Sequence, residues 1–168
     1  MEVRRLGPDD AHAYRALRMR ALWEFPEAFT SSWEEDEKQP MEVWEVRLSS
    51  DNIQFWGAFE DGHLCGMVGL ERERRIKSRH KATVIGMYVS QEHFGTGMGR
   101  ALLDQLLAEA REMGLELLVL TVTEGNTVAT NFYEAAGFRS FGIEPKAIKV
   151  EGRPFGKNHM YLDLAPAS

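Results

Sequence analysis

Apolar and polar residues change their period several times along this chain, and each change marks an element. Val3 to Leu6 predicts a short strand, punctuated by Gly7-Pro8-Asp9-Asp10. Asp9 or Asp10 is placed to cap a helix over about 11–24, where Tyr14, Leu17, Arg18, Ala21 and Leu22 recur at three-four spacing. Residues 25–39 keep no period and predict a loop, followed after Pro40 by a second helix over 41–48. Strands are expected from Ile53 to Phe59 and from Leu64 to Leu70, joined by an Asp61-Gly62 hairpin turn. A charged connection over 71–81 leads to a third strand, 82–89. Leu103, Leu106, Leu107 and Ala110 mark a strongly amphipathic helix ending at Gly114. The apolar run Leu117 to Val122 predicts a strand buried on both faces. A short helix over 126–136 ends at Gly137, and two strands are expected around 138–143 and 159–164. The order β-α-α-β-β-β-α-β-α-β-β is an α/β arrangement with a mixed sheet, in one domain over 1–168.

Composition narrows the class. Of 168 residues, 43% are hydrophobic and 27% charged, which is ordinary globular usage and excludes disordered and fibrous classes. Cys65 alone cannot form an internal disulfide; it reads as a core residue in a protein of the reducing cytoplasm. The start, Met-Glu-Val-Arg-Arg, lacks the apolar stretch of a signal peptide, and no run of eighteen apolar residues predicts a membrane span. A formal charge of −6 argues against nucleic acid as a partner.

The most informative stretch runs from Met87 through Val89 and Ser90-Gln91-Glu92-His93 to Phe94-Gly95-Thr96-Gly97-Met98-Gly99-Arg100. A strand passes through a short polar link into three alternating glycines that open a long helix. Glycine lets consecutive backbone N–H groups converge, and the helix start adds unpaired donors and a positive dipole end. Together they make an anion site suited to a pyrophosphate even in an acidic chain, with Arg100 able to add a charged contact. A triphosphate loop would need Gly-Lys-Ser/Thr where Gly99-Arg100-Ala101 stands. A dinucleotide loop would need a third glycine at position 100.

A second motif follows: Asn126-Thr127-Val128-Ala129-Thr130-Asn131-Phe132-Tyr133-Glu134-Ala135-Ala136-Gly137-Phe138. It resembles the N-x-x-A-x-x-F/L-Y-E-x-x-G-F signature of the GNAT superfamily of N-acetyltransferases, and the glycine turn resembles that family's Q/R-x-x-G-x-G/A, in the same order and spacing. Phe94 departs from the family's Gln or Arg. The resemblance implies the GNAT fold with a splayed central strand pair, and acetyl-coenzyme A as co-substrate with no metal. It implies backbone donors from about Gly95 to Arg100 on the pyrophosphate. It further implies Met87 and Val89 pairing with the pantetheine arm as an added strand would, and Asn126, Ala129 and Phe132 along its other side. The acceptor would be a primary amine of a small molecule or peptide, and two copies would pair through their late strands. A silent acetyl-coenzyme A sensor is the alternative.

Acyl transfer requires a deprotonated amine, donors for the oxyanion and a proton for the departing thiolate. Tyr133 is the candidate acid, on a helical stripe with Ala129. Glu71 and Glu73 follow a strand expected to border the cleft, and either could act as base directly or through water; Glu71 is the candidate carried forward, with ordered water alone as its competitor. Phe25, Phe29 and Trp33 are expected as walls of a cationic acceptor pocket, with Glu34 or Glu35 as counter-charges. His63, His80 and His93 lack metal-ligand spacing, so no zinc site is expected.

Overall fold

The computed structural model describes residues 1–164. Seven strands form one sheet in the order β1-β2-β3-β4-β5-β7-β6: β1 (Glu2–Arg5), β2 (Ile53–Glu60), β3 (His63–Arg72), β4 (Lys81–Val89), β5 (Leu117–Thr123), β6 (Arg139–Val150) and β7 (Arg153–Asp163). Only β4 and β5 pair in parallel; the other neighbours are antiparallel. Helices α1 (Ala11–Glu24), α2 (Trp33–Glu37) and α3 (Met41–Leu48) precede β2, while α4 (Met98–Glu112) and α5 (Thr127–Ala135) flank β5 in sequence.

Each face of the sheet seals its own core. Tyr14, Leu17 and Ala21 of α1 and Trp44 and Leu48 of α3 pack with Phe55, Met67 and Tyr88 on the front. On the back, Leu102, Leu103, Leu106, Leu107 and Ala110, on one stripe of α4, meet Trp56, Val68, Leu70, Val84 and Leu120. Removing one of these fully buried leucines to alanine would cost about 2–5 kcal/mol. Gly114, with φ +77°, terminates α4 as glycine at such a position should. Asp10 occupies the cap position of α1, yet its carboxylate accepts from Gly7 N–H and Arg4 instead of from the helix.

Three sequence expectations are corrected. The loop 25–39 contains α2, capped by Ser32, whose hydroxyl oxygen accepts from Glu35 N–H at 3.1 Å. The strand β5 is fully enclosed on one face, by Leu118, Leu120 and Val122; on the other, Leu117 and Val119 are half-buried, Thr121 is exposed and only Thr123 is buried. The last two strands are 12 and 11 residues long, joined at Glu151-Gly152, whose φ values of 50° and 78° match those of the Asp61-Gly62 turn. Charged residues interrupt the apolar alternation over 144–157 because most of β6 lies on the surface.

Candidate functional site

The strand pair β4 and β5 comes apart halfway. Hydrogen-bonded pairing covers Lys81–Thr83 opposite Leu117–Val119, yet the strands run on to Val89 and Thr123. A bulge at Gly86 (φ +63°) breaks the register with β3. A Cβ there would stand 3.0 Å from the Phe55 ring in a left-handed conformation, so glycine is required. The extra residue resets the alternation: Ile85 and Tyr88 pack on the front cluster, Val84, Met87 and Val89 on the back one. Ser90 N–H donates to Cys65 O on the β3 side at 2.9 Å. Successive strand residues turn their amides to opposite sides, so the N–H groups of Val89 and Met87 face the gap.

At the end of β4 a single turn of 3-10 helix, Gln91–His93, leads into Gly95 and Gly97, with φ of 76° and 86°. Nothing lies within 4 Å of where their side chains would be. The first helical bond of α4 is Ala101 N–H to Gly97 O at 3.0 Å, which leaves the amides of Met98, Gly99 and Arg100 without helical acceptors. With those of Gly95 and Gly97 they form a donor cluster at the positive end of a 15-residue helix. A Cβ on Gly99 would lie 3.6 Å from both Phe132 and Val89, so turn, strand end and α5 converge there. The exposed Phe94 spends its N–H on Gln91 O at 3.2 Å, and Thr96 N–H reaches His93 O at 3.4 Å. Arg100 is held along the helices, donating to Asp104 at 2.8 Å and to Ala135 O at 3.4 Å.

On α5, Asn126 caps the helix: its Oδ1 accepts from Ala129 N–H at 3.1 Å, which leaves its amide donors outward. Ala129, Phe132 and Ala136 pack on the back core, whereas Val128 is at the surface. Tyr133 is 7% exposed, set edge-on to Phe132 at 5.1 Å and Phe138 at 5.6 Å. Its hydroxyl has no hydrogen-bond partner among the described residues, yet it is not sealed off as Trp44 Nε1 and Asn158 Oδ1 are. Burial pushes the Tyr133 phenol above its ordinary pKa, so it is a protonated donor at neutral pH.

On the front, the segment after α1 closes the mouth of the gap. Phe25 packs 6.2 Å from the Tyr88 ring, Thr123 Oγ1 donates to Glu27 O at 2.6 Å, and Lys157 Nζ donates to Thr30 Oγ1. Phe25 and Phe29 therefore flank the gap, against the front core. Trp33 instead meets the exposed Trp23 at 5.6 Å, and Glu35 is taken up with the Ser32 cap. Glu71 is exposed on β3 opposite Thr83, level with the last residues that pair β4 to β5. Ala82 and Val84 belong to the back core, so Thr83 and its cross-strand partner Glu71 face the front.

A polar network that the sequence did not disclose ties the two sides together. Tyr88 OH donates to Glu24 Oε2, Arg20 Nε to Glu24 Oε1 at 2.9 Å, and Arg20 NH2 to Glu92 at 2.8 and 3.1 Å. The Tyr88 hydrogen bond, then Arg20, holds the Glu24 carboxyl below its usual range. Arg20 draws Glu92 down to about 2. Burial, then Glu24, pushes the Tyr88 phenol up. Only the Arg20–Glu24 spacing of four was readable in advance; the other partners lie 64 and 72 residues apart. Among the described residues no three His, Cys, Asp or Glu side chains are grouped to hold a metal, and no helix is long and apolar enough to cross a membrane.

The sequence and the fold both have relatives. The chain is 32% identical over 139 residues to a mycothiol acetyltransferase of Thermobispora bispora, covering 80% of this chain and 45% of that protein. It is 28% identical over 105 residues to the L-amino acid N-acyltransferase MnaT of Escherichia coli, covering 62% and 61%. It spans less than half the length of the mycothiol enzyme. An acetyltransferase of the GNAT family from Streptococcus pneumoniae superposes with a TM-score of 0.86 at 24% identity, over 98% of this chain and 99% of that one. The yncA protein of Salmonella typhimurium, solved with its cofactor acetyl-CoA, superposes at 0.82 and 22% identity over 100% and 96%. These two likenesses bear on the fold. The model of the acetyltransferase (GNAT) family matches residues 18–138, the span from α1 through the glycine turn to Phe138, and the chain belongs to that family.

Proposed function

We propose that the protein transfers the acetyl group of acetyl-coenzyme A to a primary amine by direct attack. The observation that carries this reading is one continuous line of donors, from the glycine turn to the unpaired amides of Val89 and Met87, with the Tyr133 helix alongside. A diphosphate fits the turn, where Gly95 and Gly97 leave bare backbone that any side chain would fill. An extended, amide-bearing arm fits the gap because it can pair with β4 as a strand does. The relatives' names, mycothiol acetyltransferase and L-amino acid N-acyltransferase, support a small-molecule acceptor.

In this reading the acceptor enters from the front, under Phe25 and Phe29, and meets the thioester in the gap. Glu71, on the same face, takes the proton from the ammonium through water, leaving a lone pair for attack. An amide of Met87 or Val89 stabilises the tetrahedral oxyanion. As the carbon–sulfur bond breaks, Tyr133 gives its proton to the thiolate. In water a phenol near 10 is a weaker acid than a thiol near 8.5. The transfer leaves Tyr133 as a phenolate, and the proton that the nitrogen sheds as the amide forms returns to it, so a neutral thiol, a neutral amide and a neutral phenol remain. The test is release of free thiol from acetyl-coenzyme A across a panel of amino acids, polyamines, lysine peptides and neutral amines. Acceptor-dependent release supports the reading; coenzyme binding with no release from any amine refutes it in favour of a silent binding domain.

A further inference from the structure

We infer that Arg20 is a positioning residue for the anion end of the groove, acting by cancelling the charge of Glu92. This rests on the diphosphate reading of the glycine turn. Glu92 stands three residues before Gly95, so their Cα atoms are at most about 11 Å apart. In an acidic chain it is the nearest carboxylate in sequence to the donor cluster. Left bare, a carboxylate about 10 Å from a diphosphate dianion would weaken its binding about fourfold in water.

Arg20 removes that opposition by reaching from α1 to both oxygens of Glu92, at 2.8 and 3.1 Å. Its aim is fixed from behind: Nε is held at 2.9 Å by Glu24, whose other oxygen accepts from the buried Tyr88 hydroxyl. The guanidinium is therefore anchored through a partly buried carboxylate on one side and presents its outer edge to the turn. Arg20, Glu92, Ser90 and His93 line one open cavity of about 390 Å³. Solvent reaches the pair there, and dissolved salt can screen it. Because Glu92 lies in the 3-10 turn that delivers the chain from β4 to Gly95, the same contact links α1 to the entry of the donor cluster.

Titration of the whole protein with coenzyme A by calorimetry, at low salt and at about 1 M salt, tests the assignment. Arg20→Gln is expected to weaken binding about fourfold at low salt, and the loss should vanish near 1 M salt, where the screening length is about 3 Å. Glu92→Gln alone should bind as tightly as wild type or tighter, and the double variant should recover most of the loss. If Arg20 serves only as a structural tie, Glu92→Gln will weaken binding as Arg20→Gln does and the double variant will recover nothing, which overturns the inference. Failure of the wild type to bind coenzyme A would instead overturn the diphosphate reading itself.

Discussion

Replacing Tyr133 by phenylalanine separates the acid role proposed for its hydroxyl from the packing role of its ring. The ring is 7% exposed and wedged between Phe132 and Phe138, and phenylalanine keeps all of that contact. The hydroxyl makes no hydrogen bond to a described residue and is not enclosed as a buried orphan, so its loss should change folding stability by less than about 1 kcal/mol. That corresponds to a Tm shift under about 4 °C for a domain of this size. Turnover behaves differently. A positioned general acid contributes about 10²–10⁴, or roughly 3–5 kcal/mol of barrier. Three measurements on one pair of proteins suffice: thermal melting, coenzyme A titration, and steady-state thiol release with the best amine of the panel. The expected pattern is unchanged melting, unchanged coenzyme affinity and turnover at least about 100-fold lower. Turnover within a factor of about two of wild type would refute the acid role. A Tm lower by more than about 4 °C would show that the hydroxyl is part of the packing instead.

Gly97→Ala should lower stability by about 1–2 kcal/mol, because alanine strains at φ +86° although nothing obstructs its methyl group. Gly99→Ala, with ordinary 3.6 Å contacts, should be nearly neutral in the same denaturant titration. Thr123→Val should leave coenzyme affinity intact and raise the acceptor KM, since it cuts the tether to Glu27 O; stability should fall by about 1 kcal/mol. Stability should also fall with acid. Glu24 and Glu92 titrate lower in the folded protein than in the unfolded chain, so the unfolded state takes up more protons as pH drops below about 4.5. The urea midpoint should fall progressively from about pH 5 towards pH 2, and Arg20→Gln should flatten that slope.

The extent to which the site could be read from sequence follows how local its causes are. Helices α1 and α3 begin and end where the periodic stripe and Pro40 place them. The donor cluster was legible because its parts, Gly95 to Arg100, are consecutive. The Asp61-Gly62 turn was legible because aspartate tolerates a positive φ, whereas Glu151-Gly152 adopts the same angles without that signal. Without that turn the β6–β7 hairpin looked shorter than it is. What could not be read was anything assembled across the sheet: the bulge at Gly86 set by the Phe55 ring, the Thr123–Glu27 tether, and the Arg20 network. Trp33 was expected in the acceptor wall because its aromatic and acidic segment falls where the GNAT family builds its acceptor pocket; the helical turn of α2 sets it against Trp23. The buried Arg18–Asp36 pair, at 2.7 Å, anchors that turn to α1.

Because β4 and β5 part company midway, the protein carries an unsatisfied strand border within its interior as well as at its rim. Exposed borders of this kind invite addition of a foreign strand, and the usual defences, charge and proline, are absent from Ile85-Gly86-Met87-Tyr88-Val89. In the proposed reading, the coenzyme arm that completes the border is also its guard. Protein stored without coenzyme should aggregate and be nicked by proteases sooner than protein kept saturated, by a margin that grows with the logarithm of coenzyme concentration.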